Sequence, residues 1–218
     1  MIADRPSPSA STARLPWEFV LGTTNKKKAF ELEWLLAPLG FRVTTLSDYP
    51  DALEVDEAGT TCVENARLKA VQQALHLKKW TIGEDSGLCV PALGGAPGIY
   101  SARYSGPAAT DASNNELLLA HMESLDEPQR RAFYVSTIVL ADPEGAVHLE
   151  SEGQCWGRIL REPRGTSGFG YDPLFEIIEY HQTFAELGSQ VKSVLSHRAR
   201  AFEAFAAQLR RWPETLPS

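Results

Sequence analysis

A cationic turn near the start of the chain has the residue types of a phosphate-binding site. A short apolar run ends at Leu21, and a helical pattern begins a few residues later. The connecting residues are small, polar or basic: Thr23, Thr24, Asn25, Lys26, Lys27 and Lys28. A helix N-terminus offers unpaired N–H groups and partial positive charge, and lysines add mobile cations, so this junction suits a phosphate chain. It is not a Walker loop, and a solvated basic helix start is the alternative.

Carboxylates in two later segments indicate a cation site. One loop contains Glu54, Asp56 and Glu57, and a short predicted strand at residues 80–83 is followed by Glu84 and Asp85. Magnesium binds hard oxygen ligands of this kind, keeps several waters and is completed by substrate phosphates. Such an ion neutralises phosphate charge and orients a water for in-line attack. An acidic loop is also typical of solvated surface, whereas carboxylates between an apolar strand and a Gly-rich loop are seldom incidental.

Two Gly-rich loops and a basic segment could surround a nucleobase. The loops are residues 92–98 and 165–172, in which glycines allow close backbone approach and Phe169 could stack on a base. Near the chain's end lie the hydrogen-bond donors Lys192, Ser196, His197, Arg198 and Arg200. They could read carbonyl oxygens on a base. Ordinary turns and a solvent-facing basic helix face are the alternatives.

Alternating strands and helices are predicted to position these residues. The first helix has leucines at three- and four-residue intervals and ends at Gly40, a left-handed cap. A strand follows at residues 41–46, and Thr61 with Glu64 makes a capping box for a helix that ends near Lys78. The strand at residues 80–83 is expected to deliver Glu84 to Ser86 at its carboxyl end, where open α/β sheets place ligands.

The second half of the chain predicts a helix at residues 111–123, then a hairpin of residues 133–140 and 146–150. A short strand follows at residues 174–178. One long final helix is expected because its apolar residues lie on one stripe, with Pro213 as its end. These residues are Val191, Val194, Leu195, Phe202, Phe205, Ala206 and Leu209.

Length and charge limit the function classes. The 218 residues suit one catalytic domain at residues 17–212, after a Pro/Ser-rich lead-in at residues 1–16, expected to be disordered, and before a tail at residues 213–218. A net charge of -7 argues against nucleic-acid binding. No stretch approaches the roughly 20 apolar residues of a membrane span. A cytoplasmic location is expected by elimination.

Four ordered segments resemble the inosine triphosphate pyrophosphatase family, hydrolases of non-canonical purine nucleotides. They are residues 21–28, residues 84–88 continuing through 93–104, residues 168–173, and residues 196–198. The resemblance extends from Phe19 to Leu209. It implies an α/β fold with an elongated central mixed β-sheet flanked by helices, two lobes with a substrate cleft between them, and a homodimer. It also implies Mg²⁺-dependent hydrolysis of ITP, dITP and XTP to the monophosphate and pyrophosphate.

The resemblance assigns roles to individual residues. Thr23, Asn25 and Lys28 would hold the phosphates, Glu57 and Asp85 would serve the metal, Asp85 would be the general base, and Ser86 would touch the substrate. The base pocket would consist of Phe169, Gly170, Tyr171, Asp172, Lys192, His197 and Arg198. A 6-oxo purine presents an acceptor where adenine presents a donor, so donors in this pocket favour the 6-oxo base.

The sequence departs from the family pattern at three positions. Glu84 stands where Asp is typical, Thr24 where Gly is common, and Val191 where an acid is usual. The first departure matters most, because magnesium tolerates poor octahedral geometry badly. Two other functions stay open: a hydrolase of another modified nucleotide, since a few side chains set base choice, and a nucleotide-binding sensor whose metal site is spoiled by Glu84.

Overall fold

The N-terminal half builds parallel strands linked by helices. The computed structural model describes residues 18–211. The predicted lead-in, the tail and the helix end at Pro213 lie outside that range. Strand β1 (Glu18–Leu21) pairs in parallel with β2 (Arg42–Thr45) and with β3 (Thr81–Cys89). The connections that run between these strands contain α1 (Lys26–Leu36) and α2 (Cys62–Leu77).

The predicted ends of both helices are confirmed. After α1 the chain tightens into a 3-10 turn at Ala37–Leu39, and Gly40 closes it in the left-handed conformation with φ 73°. At the start of α2, Thr61 accepts a hydrogen bond from the backbone N–H of Glu64 at 3.3 Å. Lys78 ends α2 with positive φ. Local capping chemistry therefore fixes where these helices begin and end.

The prediction that a strand ends at Gly83 and delivers three polar residues beyond its carboxyl end is wrong. Strand β3 continues to Cys89, so Glu84, Asp85 and Ser86 lie in its middle. The strand is longer because β5 (Arg131–Ala141) pairs with it in antiparallel register over its whole length. Backbone hydrogen bonds to β5 keep these polar residues in the extended conformation. Nearby cations compensate the buried charges of Glu84 and Asp85.

The remaining strands complete one mixed sheet. The predicted hairpin is confirmed, with β5 followed by the long strand β6 (Val147–Ile159). Strands β7 (Phe175–Ile177) and β8 (Gln182–Thr183) extend the sheet, and β4 (Pro97–Gly98) pairs with the end of β3. The order is β2-β1-β3-β5-β6-β7-β8. Helix α3 (Asp111–His121) lies where the sequence predicts it.

The prediction of one long final helix is wrong, because the segment forms two helices. They are α4 (Phe184–Leu195) and α5 (His197–Leu209). Ser196 between them is extended, with ψ 161°, and its hydroxyl accepts a hydrogen bond from the backbone of Ala199 at 3.2 Å. The apolar stripe is not continuous, since Val194 is 69% exposed. A serine N-cap therefore starts a new helix at His197.

Helices pack closely on both faces of the central strands. A β-carbon added to Gly83 would lie 2.2 Å from the carbonyl oxygen of Ala66 in α2, and one added to Gly153 would lie 2.2 Å from the backbone nitrogen of Ala201 in α5. These contacts leave no room for a side chain. Ile138 and Leu140 belong to the hydrophobic core that contains the apolar residues of α5, whereas Val139 packs with the alanines of α2. Successive side chains of β5 therefore point to opposite faces of the sheet. The predicted mixed α/β fold with flanking helices is confirmed.

None of the helices within residues 18–211 is both long enough and apolar enough to cross a membrane.

Candidate active site

A cavity of about 480 Å³ collects most of the residues that the sequence singles out. Its lining includes Thr23, Thr24, Asn25, Lys28, Glu57, Asp85, Ser86, Phe169, Gly170, Tyr171, Asp172, Lys192, His197 and Arg198. Lys26 and Lys27 do not line it and border a neighbouring groove instead. The Lys27 side chain is 60% exposed and lies 3.6 Å from Asp111. Lys27 Nζ also lies 5.2 Å from the centre of the Phe169 ring, which lines the cavity, so the substrate-binding role of Lys26 and Lys27 stays a prediction.

The N-terminus of α1 is ordered by its own side chains. Asn25 Oδ1 accepts hydrogen bonds from the backbone N–H groups of Lys27 at 3.0 Å and Lys28 at 3.2 Å. Thr23 Oγ1 accepts one from the backbone N–H of Asn25 at 3.2 Å. Because the Asn25 side chain already satisfies two first-turn amides, the ammonium group of Lys28 is the main positive charge that α1 presents to the cavity.

Asp85 lies between two lysines. Lys69 Nζ is 2.8 Å from Asp85 Oδ1 and 3.3 Å from Glu57 Oε1, and Lys28 Nζ is 4.0 Å from Asp85 Oδ1. Sequence reasoning missed Lys69. The signal was available, because Asn65, Lys69 and Gln73 recur every four residues on the buried face of α2. A lysine on a buried face needs a carboxylate partner.

Glu84 is a fully buried charge with several partners. Lys28 Nζ lies 2.9 Å from its Oε2, while Arg198 Nε at 3.1 Å and the Ser136 hydroxyl at 2.9 Å contact its Oε1. Burial favours the neutral acid, but the cations Lys28, Arg198 and Lys69 together hold the pKa of Glu84 well below its usual value. The carboxylate is therefore ionised and held by the protein's own cations.

Charged side chains form one chain of alternating sign along the cavity. Neighbouring nitrogen and oxygen atoms are between 2.6 and 4.0 Å apart. The order is Arg103, Glu57, Lys69, Asp85, Lys28, Glu84, Arg198, Glu31, Lys192 and Asp172. Cations and carboxylates alternate in equal number, so the ionic chain has no net charge. Glu31 and Arg103 were not assigned roles from the sequence, because only the fold brings their partners near.

The base-pocket candidates surround an aromatic ring. Lys192 Nζ lies 4.2 Å and the Arg198 guanidinium carbon 5.6 Å from the centre of the Phe169 ring. Lys192 also contacts Asp172 Oδ2 at 2.6 Å, and the same oxygen accepts a hydrogen bond from the backbone of Phe169 at 2.9 Å. Burial raises the pKa of Asp172, opposed by Lys192. Asp172 therefore orients both the cation and the aromatic loop.

His197 presents a neutral imidazole to this pocket. It is 2% exposed and stacks on Tyr134, with ring centres 4.7 Å apart. Burial, together with the nearby cations Arg198 and Lys192, holds the pKa of His197 well below its usual value. Neither ring nitrogen has a hydrogen-bond partner within residues 18–211. One nitrogen can donate and the other can accept, so both are available to a ligand.

Asp85 and Glu57 fit a cation that takes most of its ligands from elsewhere. Asp85 Oδ2 is buried and has no hydrogen-bond partner among the described residues, so it is an available acceptor. The described part of the chain holds no group of three or more His, Cys, Asp and Glu side chains placed to bind a metal. Two carboxylates suit magnesium, which retains waters and binds substrate phosphates, rather than a metal enclosed by protein ligands.

Known proteins are similar to this chain in sequence and in fold. A protein from Rhodopirellula baltica named dITP/XTP pyrophosphatase is 48% identical over 195 residues, which cover 89% of this chain and 94% of that protein. Another so named, from Exiguobacterium sp., is 46% identical, covering 88% and 96%. The structure of a HAM1 protein from Coxiella burnetii is 37% identical with a TM-score of 0.83, covering 90% of this chain and 100% of its own.

The predicted family resemblance is thus confirmed over nearly the whole described chain. The structure of the Staphylococcus aureus Ham1 protein is 35% identical with a TM-score of 0.80, covering 89% and 98%. The sequence pattern of the Ham1 family matches residues 19–208. The chain therefore belongs to the Ham1 family.

Proposed function

We propose that this chain hydrolyses the non-canonical purine nucleoside triphosphates ITP, dITP and XTP to the nucleoside monophosphate and pyrophosphate. One observation carries the proposal: a single cavity holds the acid pair Glu57 and Asp85, the cation Lys28, and the base-reading candidates Lys192 and His197. The relatives named dITP/XTP pyrophosphatase support the same activity. Removing such nucleotides from the nucleotide pool would be its role.

Asp85 is the proposed general base. It would accept a proton from the attacking water as the water oxygen bonds to phosphorus. The anhydride bond between the α- and β-phosphates then breaks, and its electron pair stays on the oxygen that leaves. Lys69 and Lys28 keep Asp85 oriented, and Lys28 is close enough to Asp85 to contact the phosphates at the same time.

Mg²⁺ is the proposed cofactor, with Glu57 and Asp85 as its protein ligands. When bound, it would neutralise phosphate charge and help to orient the water. Glu84 is not needed as a ligand in this proposal, because both of its oxygens contact other side chains. In this proposal, the replacement of the typical Asp by Glu84 leaves the metal site intact.

Base choice would rest on the donors around Phe169. Lys192, Arg198 and the N–H of His197 would face an acceptor on a 6-oxo purine. Adenine would present its amino donor there and leave buried groups unpaired, which costs about 1–3 kcal/mol each. The proposed selectivity for ITP over ATP follows from this penalty.

The deciding experiment incubates the purified chain with magnesium and a panel of nucleoside triphosphates, then measures pyrophosphate and orthophosphate separately. We expect pyrophosphate from ITP, dITP and XTP. The Asp85→Asn variant should lose about 100-fold or more in kcat. The Asp56→Asn variant is a matched control, because Asp56 is exposed and does not line the cavity.

Other outcomes support the alternatives. Release of orthophosphate alone contradicts the proposal. Equal efficiency on pyrimidine and purine triphosphates indicates a hydrolase of another modified nucleotide. Tight ITP binding without cleavage, unchanged by Asp85→Asn, indicates a sensor.

A homodimer is also proposed, on the family resemblance alone, and light scattering of the purified chain tests it. The cytoplasmic location stays a prediction.

A further inference from the structure

Arg103 is a cation at one edge of the cavity, on a firmly held turn. It ends the 3-10 turn Ser101–Arg103. The carbonyl of Ser101 accepts a hydrogen bond from the Tyr171 hydroxyl at 2.8 Å. The Ser101 hydroxyl donates to the carbonyl of Gly98 at 2.6 Å and accepts from the backbone of Leu88 at 2.8 Å. The backbone of the turn is thus tied to β3, β4 and the loop of Tyr171.

The guanidinium of Arg103 is the least neutralised cation that lines the cavity within the described chain. Among residues 18–211 its only carboxylate contact is with Glu57, at 3.9 Å, and its side chain is 44% exposed. The other cavity cations each lie within 2.9 Å of a carboxylate oxygen, and their side chains are at most 16% exposed. They are Lys28, Lys69, Lys192 and Arg198.

The position of Arg103 in the ionic chain indicates which part of a nucleotide it would meet. Arg103 and Glu57 lie at one end of the ionic chain. Lys192 and Asp172, which lie beside Phe169, form its other end. A nucleotide with its base at Phe169 and its cleaved bond at Asp85 would extend its last phosphates toward Arg103. The Arg103 guanidinium carbon lies 5.3 Å from the centre of the Tyr100 ring, and guanidinium N–H groups bind phosphate oxygens in bidentate pairs.

We propose that Arg103 binds the two terminal phosphates of the substrate and then the pyrophosphate product. This inference rests on the proposed function and adds a residue to it. Whichever phosphorus the water attacks, the bridging position on the β-phosphorus becomes a terminal oxygen of pyrophosphate, which carries more negative charge than the same phosphates carried in the substrate. The contact with Arg103 therefore strengthens as the bond breaks, and such contacts raise kcat.

Without a ligand, Arg103 is paired with Glu57, and this long ionic contact can be exchanged for another. Glu57 is also the proposed metal ligand, and a carboxylate recruited to that role no longer neutralises the guanidinium. Arg103 would then exchange one long ionic contact for the bidentate contact that guanidinium forms with phosphate. The exchange requires only side-chain rotation, since the backbone of the turn is fixed.

The test measures binding of inorganic pyrophosphate and of inosine monophosphate separately, by calorimetry in the presence of magnesium. The Arg103→Gln variant should weaken pyrophosphate binding about 10-fold or more and leave monophosphate binding within about twofold. Arg103→Lys should recover part of the loss, because it keeps the charge but not the fork of donors. Arg67→Gln is the matched control: Arg67 is 53% exposed, is paired with Glu150 at 2.8 Å and lies outside the cavity.

Three outcomes overturn the inference. They are unchanged pyrophosphate affinity in Arg103→Gln, an equal loss for both ligands, and a wild-type chain that does not bind pyrophosphate. If the wild-type chain binds pyrophosphate but releases none from ITP, the proposed function fails while the binding comparison still decides the role of Arg103. With an active enzyme, Arg103→Gln should also lower kcat on ITP about 10-fold.

Discussion

Lys69 on α2 and Asp85 on β3 form an ion pair that is buried on both sides, with Nζ and Oδ1 2.8 Å apart. Desolvation of a lysine opposes its charge, yet the nearby carboxylates of Asp85, Glu84 and Glu57 raise the pKa of Lys69 above its usual value. Helix α2 thereby places a lasting positive charge beside the proposed general base. This pair leads to the first prediction.

Replacing Lys69 with Met should destabilise the protein by about 3 kcal/mol, because Asp85 is left as a buried charge with a weaker partner. Urea denaturation measures this loss. The Lys69→Met/Asp85→Asn double variant should recover part of it, since no unpaired charge remains. Lys79→Met is the control: Lys79 makes a half-exposed pair with Glu18 at 3.2 Å and should cost less than about 1 kcal/mol. Equal losses for both lysines would contradict the prediction.

Glu57→Gln should raise the magnesium concentration needed for half-maximal activity about 10-fold, because one of two proposed protein ligands loses its charge. Chelation should abolish turnover of the wild-type chain, and added magnesium should restore it. A magnesium titration of pyrophosphate release measures both effects. Asp56→Asn, one residue away and exposed, should behave as wild type. Full activity in a chelator would refute the metal requirement.

His197 should make stability depend on pH below about 6.5. Its pKa is lowered in the folded state, so the unfolded chain binds the proton first as pH falls. The contribution of neutral His197 to the free energy of unfolding is therefore fully present above pH 6.5. Below that pH the free energy of unfolding decreases, by at most about 1.4 kcal/mol per pH unit. Urea denaturation at pH 7.5, 6.5 and 5.5 measures the slope. The slope should be shallower in His197→Asn, and parallel slopes in the two proteins would exclude this role.

Lys192→Met should reduce selectivity for the base. The ratio of kcat/KM for ITP to that for ATP is expected to fall about 10-fold, because a donor to the 6-oxo group is lost. This ratio does not depend on how much of the variant is folded, so it is unaffected by the stability that is lost when the buried Asp172 is left without Lys192. Lys79→Met, outside the cavity lining, should keep the wild-type ratio. An unchanged ratio in Lys192→Met would remove Lys192 from base recognition.

Local sequence signals predicted the helix ends and the turn that carries Lys28. Gly40 ends a helix through its own backbone conformation, and Thr61 begins one through a hydrogen bond to a residue three positions later. Both helix ends can therefore be predicted without knowing the tertiary fold. Strand β3 could not be bounded in this way, because its second half depends on hydrogen bonds to β5, about 50 residues later. The helix break at Ser196 was missed because the apolar pattern continues across it, although the serine itself is a typical N-cap.

The site was predictable as a set of residues but not as a network. Motif resemblance brought Asp85, Lys28 and Arg198 into consideration, and each lines the cavity. It could not assign partners to them, since Glu31, Lys69 and Arg103 become neighbours only through tertiary packing. Buried charges on apolar faces are the sequence signal for such partners, and Lys69 carries that signal most clearly.

Lys28 and Glu31 project from the same face of α1, three residues apart. The first contacts the acids of β3 and the second contacts Arg198 beside the base pocket. One turn of α1 therefore sets the spacing between the proposed phosphate end and the proposed base end of the cavity. Inserting one residue between them would rotate the second contact by about 100°. Lys28 would then keep its contact with Glu84, and Glu31 would lose its contact with Arg198.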